Sequence, residues 1–149
     1  MEGGILVKYP ILSYINHHRQ FYGMIYEDIS SELKLTQLEI DILLFLINNP
    51  EFNTARDIVN LRGFAKSNVS TAIEALQRKE YLSVLTDPDN RRIHRLALRV
   101  HNQEVFDRLI TRQRESFSLM LKGFSQEEIG QLHSFMERMD QNMLESIKK

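Results

Sequence analysis

Three stretches of the chain repeat apolar residues at the helical period. The first runs Ile11, Tyr14/Ile15, His18, Phe21/Tyr22, Ile25 and Ile29, and the second Val105/Phe106, Leu109/Ile110, Phe117 and Met120/Leu121. The third runs Ile129, Leu132, Phe135/Met136, Met139, Met143 and Ile147. Each predicts one long helix with a single apolar stripe, over 11–30, 101–122 and 126–147. Between them the pattern is denser and more often interrupted. Leu35-Thr36-Gln37-Leu38-Glu39-Ile40 reads as a helix start: Thr36 caps, Glu39 reaches back to the Thr36 amide, and Leu35 and Ile40 close a hydrophobic staple. Phe124-Ser125-Gln126-Glu127-Glu128-Ile129 repeats the device. Pro50 ends the first of these helices before Asn48-Asn49, because the residue before a proline disfavours helical backbone.

A short helix starts at Thr54-Ala55-Arg56-Asp57 and stops at Gly63, and another runs from about Lys66 to Lys79. The period then changes. Tyr81 to Thr86 and Ile93 to Leu98 alternate as strands, joined by the polar turn Asp87-Pro88-Asp89-Asn90, which predicts a β-hairpin. The fold class is therefore mainly α with one small hairpin (α+β). No repeat, low-complexity tract or Gly/Ser-rich linker interrupts it, which favours one compact unit per chain.

Two helices joined by a tight glycine turn have the spacing of a helix-turn-helix. On the second, Val69, Ala72/Ile73 and Leu76 form the inner face and leave Ser67, Asn68, Ser70, Thr71, Glu74 and Arg78 outward. Short hydroxyls and an amide near a helix N-terminus can bond base edges and phosphates in a major groove. A small polar surface helix has the same look. What separates the two readings is the hairpin that follows, whose tip carries Arg91 and Arg92 as a backbone- or minor-groove-binding wing would.

Charge sharpens this picture. The 149 residues sum to −1, which taken alone argues against a polyanionic partner. Residues 62–99, however, hold eight basic residues against four acidic ones, while residues 1–61 hold four against eight and residues 100–149 seven against eight. A basic block sits between acidic flanks.

Gly63 to Leu82, with Lys66-Ser67-Asn68-Val69-Ser70-Thr71 at its centre, resembles the recognition-helix segment of MarR-family regulators, and Asp87-Pro-Asp-Asn-Arg-Arg92 is similar to the family's wing. Leu35 to Ile40 resembles the start of the family's second helix. Ala65 stands where the family often has Ser or Thr, Glu80 where it often has Gly, Thr71 where many members have Arg, and Asn90 where the wing Asp is usual. The resemblance implies a winged helix-turn-helix over 35–99, with long dimerisation helices over 1–34 and 100–149. It implies an obligate homodimer on an inverted-repeat operator in double-stranded DNA, acting as a ligand-responsive repressor. The three long stripes support a dimer independently, since they are too apolar for a small winged domain to cover. The expected DNA contacts are Arg62, Lys66, Ser67, Asn68, Ser70, Thr71, Arg78, Asp89, Asn90, Arg91 and Arg92. The alternative is a winged-helix module that binds small molecules or proteins without DNA.

The resemblance also implies a small phenolic or anionic effector, for which His17, His18, Arg19, Phe21, Tyr22, Phe45 and Phe64 are the candidates. The same aromatics fit a plain core. With no Cys, thiol redox sensing and disulfides are excluded. His17 and His18 diverge by about 100° on a helix and do not share an ion easily, so no metal or other cofactor is expected. No phosphate loop, nucleophile elbow or His-Glu-x-x-His occurs, and no enzymatic activity is expected. The longest apolar run, Ile42 to Ile47, is far short of the roughly 20 residues of a membrane span, and Met1-Glu-Gly-Gly lacks a signal-peptide pattern. A cytoplasmic protein is expected.

Overall fold

The structure is a computed structural model that describes residues 9–148, with side chains from residue 12 onward. Met1-Glu-Gly-Gly and the Ile11 side chain lie outside the described residues. The order is α1 (Tyr9–Leu33), α2 (Gln37–Asn48), α3 (Ala55–Arg62), α4 (Lys66–Arg78), β1 (Leu82–Thr86), β2 (His94–Leu98), a 3-10 turn (Val100–Asn102), α5 (Gln103–Met120) and α6 (Gln126–Ile147). Contacts divide the chain into two compact units, one ending at Gln113 and one comprising Arg114–Lys149. Among the described residues no helix is long and apolar enough to cross a membrane.

The first unit is built around α2. Ile40, Ile42, Leu43, Leu44, Phe45 and Leu46 are all buried, and a helix apolar on so many sides must be surrounded. It packs against α1, α4 and β2, while α3 packs on α4 and β2. Ile25, Tyr26 and Ile29 bring the second half of the α1 stripe into this core, with Ile58, Val69, Leu76, Leu82, Leu96, Phe106 and Leu109. The strands pair antiparallel from Leu82↔Leu98 to Thr86↔His94, and an isolated bridge from Thr54 to Arg95 ties β2 to the start of α3.

Local chemistry sets the helix ends. At α2, Thr36 Oγ1 accepts from the Glu39 amide (3.2 Å) while Glu39 Oε2 accepts from the Thr36 amide (2.9 Å), and Leu35 and Ile40 are both buried as the staple requires. Thr54 and Asp57 form a second such box at α3, in which aspartate does the work expected of a glutamate. Ser125 and Glu128 form the third, at α6. There Phe124 stays 48% exposed, so the box forms without a buried staple. Gly63 ends α3 in the left-handed region at φ 67°. Glu80 takes φ 61° after α4, a conformation that costs a non-glycine residue about 1 kcal/mol. The structure therefore uses the left-handed geometry even though glycine is absent there.

Charged staples join elements distant in sequence. Arg108 holds Glu32 with both nitrogens (3.0 and 2.6 Å), and Arg112 holds Asp28 likewise (2.8 Å twice) while also donating to the Ile25 carbonyl. These pairs fix the first part of α5 to α1, and the guanidiniums keep both carboxyls below the usual carboxylate range. Lys79 Nζ bonds Glu39 Oε2 (2.7 Å) and the Lys34 carbonyl (2.7 Å), so one nearly enclosed carboxylate both caps α2 and anchors the end of α4. Glu39→Ala should therefore lower stability by about 2–3 kcal/mol, or roughly 6–10 °C in a thermal melt. Glu39→Gln, which keeps the capping acceptor, should lose about half of that. Equal melts for all three proteins would contradict this account.

In the second unit α6 has no buried residue. Leu132, Phe135, Met136, Met139, Met143 and Ile147 are between 39% and 80% exposed, so all of the predicted stripe but half-buried Ile129 faces outward in the single chain.

Candidate nucleic-acid interface

Residues 63–65 link α3 to α4, and α4 buries Val69, Ala72, Ile73, Ala75 and Leu76. That anchorage leaves Ser67, Asn68, Ser70, Thr71, Glu74 and Arg78 exposed, as the spacing predicts. Ala65 supplies no side-chain cap, so the first-turn amides of α4 receive no side-chain cap from that residue. An oxyanion placed there would meet unsatisfied N–H groups and the positive end of the helix dipole. Thr71 donates its hydroxyl to the Ser67 carbonyl (3.0 Å) and keeps only acceptor capacity for an outside group. Arg62 lies over the Phe64 ring at 5.1 Å, a cation–π contact that restrains an otherwise mobile guanidinium at the turn. Lys66 and Arg78 are exposed.

The wing is organised by a buried carboxylate. Asp87 Oδ1 accepts from the amides of Asp89 (2.9 Å) and Asn90 (3.1 Å), and Oδ2 accepts from Arg95 Nε (2.6 Å). Arg95 also donates to Asn53 Oδ1 (3.0 Å), and the Leu96 amide donates to the Asn53 carbonyl (2.7 Å). The Arg95 guanidinium, helped by the two amides, holds the Asp87 carboxyl below its ordinary range. Asn90 Oδ1 accepts from the Arg92 amide (3.1 Å), so this side chain shapes the turn that presents Arg91 and Arg92. Both arginines are exposed, and among the described residues neither has an ion pair. Asp89 is exposed beside them.

Sequence reasoning passed over Asp87, Arg95 and Asn53 as a unit. The Asp-Pro turn marks Asp87, but Asn53 lies 42 residues from Arg95 and carries no local signal.

The candidate effector residues are less gathered. On α1, His18 lies between exposed Tyr14 (6.0 Å) and half-buried Tyr22 (6.2 Å, stacked). Tyr22 donates to Asp41 Oδ1 (2.8 Å), and burial followed by the Asp41 charge raises its pKa. His17 faces Ser13, Arg19 donates to Asn16, Phe21 is half-buried, Phe45 is core and Phe64 sits under Arg62. The first unit has a cleft of about 730 Å³ beside the wing and an apolar one of about 210 Å³ that includes Leu46, Ile47 and Phe106. Neither is lined by any of these seven residues. Among the described residues no group of three or more His, Asp or Glu could hold a metal ion.

Comparison with known proteins agrees with this geometry. The MarR family model matches residues 31–93, from the end of α1 to the wing. A protein described as a MarR-family transcriptional regulator from Listeria monocytogenes, complexed with 26mer DNA, superimposes with a TM-score of 0.80 at 18% identity, over 91% of this chain and 89% of that one. A MarR protein from Peptoclostridium difficile gives 0.78 at 22% identity, over 96% and 92%. MepR of S. aureus, in a DNA complex, gives 0.74 at 16% identity, over 91% and 96%. No curated protein sequence matches the chain significantly. The fold is that of the MarR-type winged helix.

Proposed function

We propose that this MarR-type winged-helix chain works as a homodimeric, sequence-specific DNA-binding regulator, a repressor that occupies an inverted-repeat operator. The observation that carries the reading is the pairing of two uncommitted arginines at the wing tip with an exposed, short-chain polar face on α4. The first-turn amides of α4 add a phosphate site, Arg62 and Lys66 add cations near it, and Arg78 offers a further cation at the far end of the helix. In this reading Ser67, Asn68, Ser70 and Thr71 meet base edges, and Arg91 and Arg92 hold the backbone or minor groove. Asn90 and Asp89 support the wing that carries them. The solved structures of this fold include DNA complexes, which favours the same use of this one.

Residues 35–99 form the reading head, and residues 1–34 and 100–149 the dimerisation region. The outward rows of α6, together with exposed Leu12, Tyr14 and Ile15 on α1, are what a second copy would cover. A small phenolic or anionic effector would act from the His18–Tyr22 side of α1 by shifting the separation of the two reading heads. Two-fold symmetry puts the recognition helices about 34 Å apart, one turn of duplex.

Selection from a random duplex library at fixed salt tests the function directly. The expected product is an inverted repeat with half-site centres about 10 base pairs apart. Recovery of no motif, with affinity indifferent to salt, would overturn the proposal.

A further inference from the structure

Beside the wing, the first turn of α3 and the start of β2 enclose an open cleft of about 730 Å³. Its wall carries Arg56, Arg92, Arg95 and His94, with Glu51 and Asp57 as carboxylates. The charges are not equally available. Arg95 is held by Asp87 at 2.6 Å and by Asn53 at 3.0 Å. Asp57 Oδ2 accepts from both the amide (3.0 Å) and the hydroxyl (2.7 Å) of Thr54. What remains uncommitted is two guanidiniums, Arg56 and Arg92, the His94 imidazole and one carboxylate, Glu51. Among the described residues neither arginine has an ion pair.

We propose that this cleft is a second phosphodiester-binding surface, on which Arg56 and His94 hold the DNA backbone beyond the stretch gripped by the wing tip. The inference rests on the DNA-binding reading above and extends its footprint. Three features direct it to a backbone phosphate. Arg92 and Asn90 line the cleft and also form the wing tip, so a strand leaving the wing meets the cleft mouth next. The cleft is open and its lining includes three arginines, a histidine and two carboxylates, unlike the enclosed, mainly apolar pockets that hold small organic ligands. Its surplus of uncommitted charge is positive, and a guanidinium matches two phosphate oxygens at once. Arg56 occupies the first turn of α3, whose backbone is fixed by the Thr54–Asp57 box and by the Thr54–Arg95 bridge. Its Cα is thus held in place relative to the wing.

The test is a salt titration of operator binding by wild type, Arg56→Ala, Arg56→Lys and His94→Ala, with thermal melts to verify folding. A dimer loses two contacts in Arg56→Ala, so the slope of log affinity against log salt should become shallower by about 2, with roughly a tenfold or greater loss of affinity. The loss should be equal on specific and random duplex, because phosphates carry no sequence. Arg56→Lys should retain most of the slope and His94→Ala should weaken binding without changing the selected motif. An Arg56→Ala protein with wild-type slope and affinity overturns the inference while leaving the wing and α4 reading intact. A wild-type protein that binds no DNA overturns both. Inorganic phosphate is the second probe. If it raises the melting temperature of wild type but not of Arg56→Ala, while the DNA slope is unchanged, the cleft takes a free anion and the backbone assignment fails.

Discussion

Arg91→Ala combined with Arg92→Ala is expected to weaken operator binding by about three orders of magnitude at 0.1 M salt, leaving fold and oligomeric state unchanged. Each wing loses two exposed guanidiniums, so a dimer loses four contacts worth about 1 kcal/mol apiece. The salt slope should become shallower by about 3–4. Stability should hold, because the wing's own geometry depends on Asp87, Arg95 and Asn90 rather than on the tip side chains. The single variants separate two roles. An arginine on a phosphate loses affinity equally on all sequences, whereas one inserted in the minor groove loses more where the groove is narrow. Fluorescence anisotropy at four salt concentrations, on operator and on random duplex, reads all of this. Wild-type slope and affinity in the double variant would remove the wing from the interface.

The second large effect is expected from Phe135→Glu with Met139→Glu on the outward row of α6, where the two side chains are 54% and 61% exposed. In the single chain both positions face solvent, so the charges are well hydrated and the melt of an isolated protomer should barely move. In a dimer, four carboxylates would be buried in an apolar seam without partners, a cost large enough to prevent association. Light scattering after gel filtration should give a mass near the 17.6 kDa of one chain instead of twice that value. Operator affinity should fall by at least about a hundredfold, because bivalent engagement is lost, while weak half-site binding remains. A dimeric variant with unchanged affinity would place the mating surface elsewhere on the chain.

The two substitutions act on different properties of one reading head. The first removes what touches DNA, and the second removes the symmetry that places two such heads a helical turn apart. Their salt dependences separate them: the wing variant should have a shallower slope per protomer, the α6 variant the same slope per protomer on a half-site.

Much of this arrangement is legible along the chain, and the legible parts share a physical origin. Thr36–Glu39, Ser125–Glu128, the stop at Gly63 and the polar turn at Asp87–Asn90 all depend on groups within about four residues of each other. Their geometry follows from backbone sterics and unsatisfied amides alone. The inner and outer faces of α4 follow from the 3.6-residue period for the same reason. Local spacing thus determined the helix-turn-helix, the hairpin and the outward position of Ser67, Asn68, Ser70 and Thr71.

Tertiary structure decided which charges are free. Nothing near Glu39 in sequence indicates that its capping carboxylate also holds Lys79, 40 residues away. Arg95 looks like Arg91 and Arg92 in the sequence, yet packing of β2 on the start of α3 turns it inward to Asp87 and Asn53. Arg56, by contrast, has no sequence cue and becomes notable only when the cleft places it beside Arg92. The effector candidates divide in the same way, with Phe45 drawn into the core while His18 and Tyr22 remain on a common face. The sequence by itself determined the elements and their amphipathic faces, since those depend on neighbours along the chain. Only the packed structure separated the arginines that hold the protein together from those left for a polyanion, because a charge is committed by whatever the fold brings within about 3 Å of it.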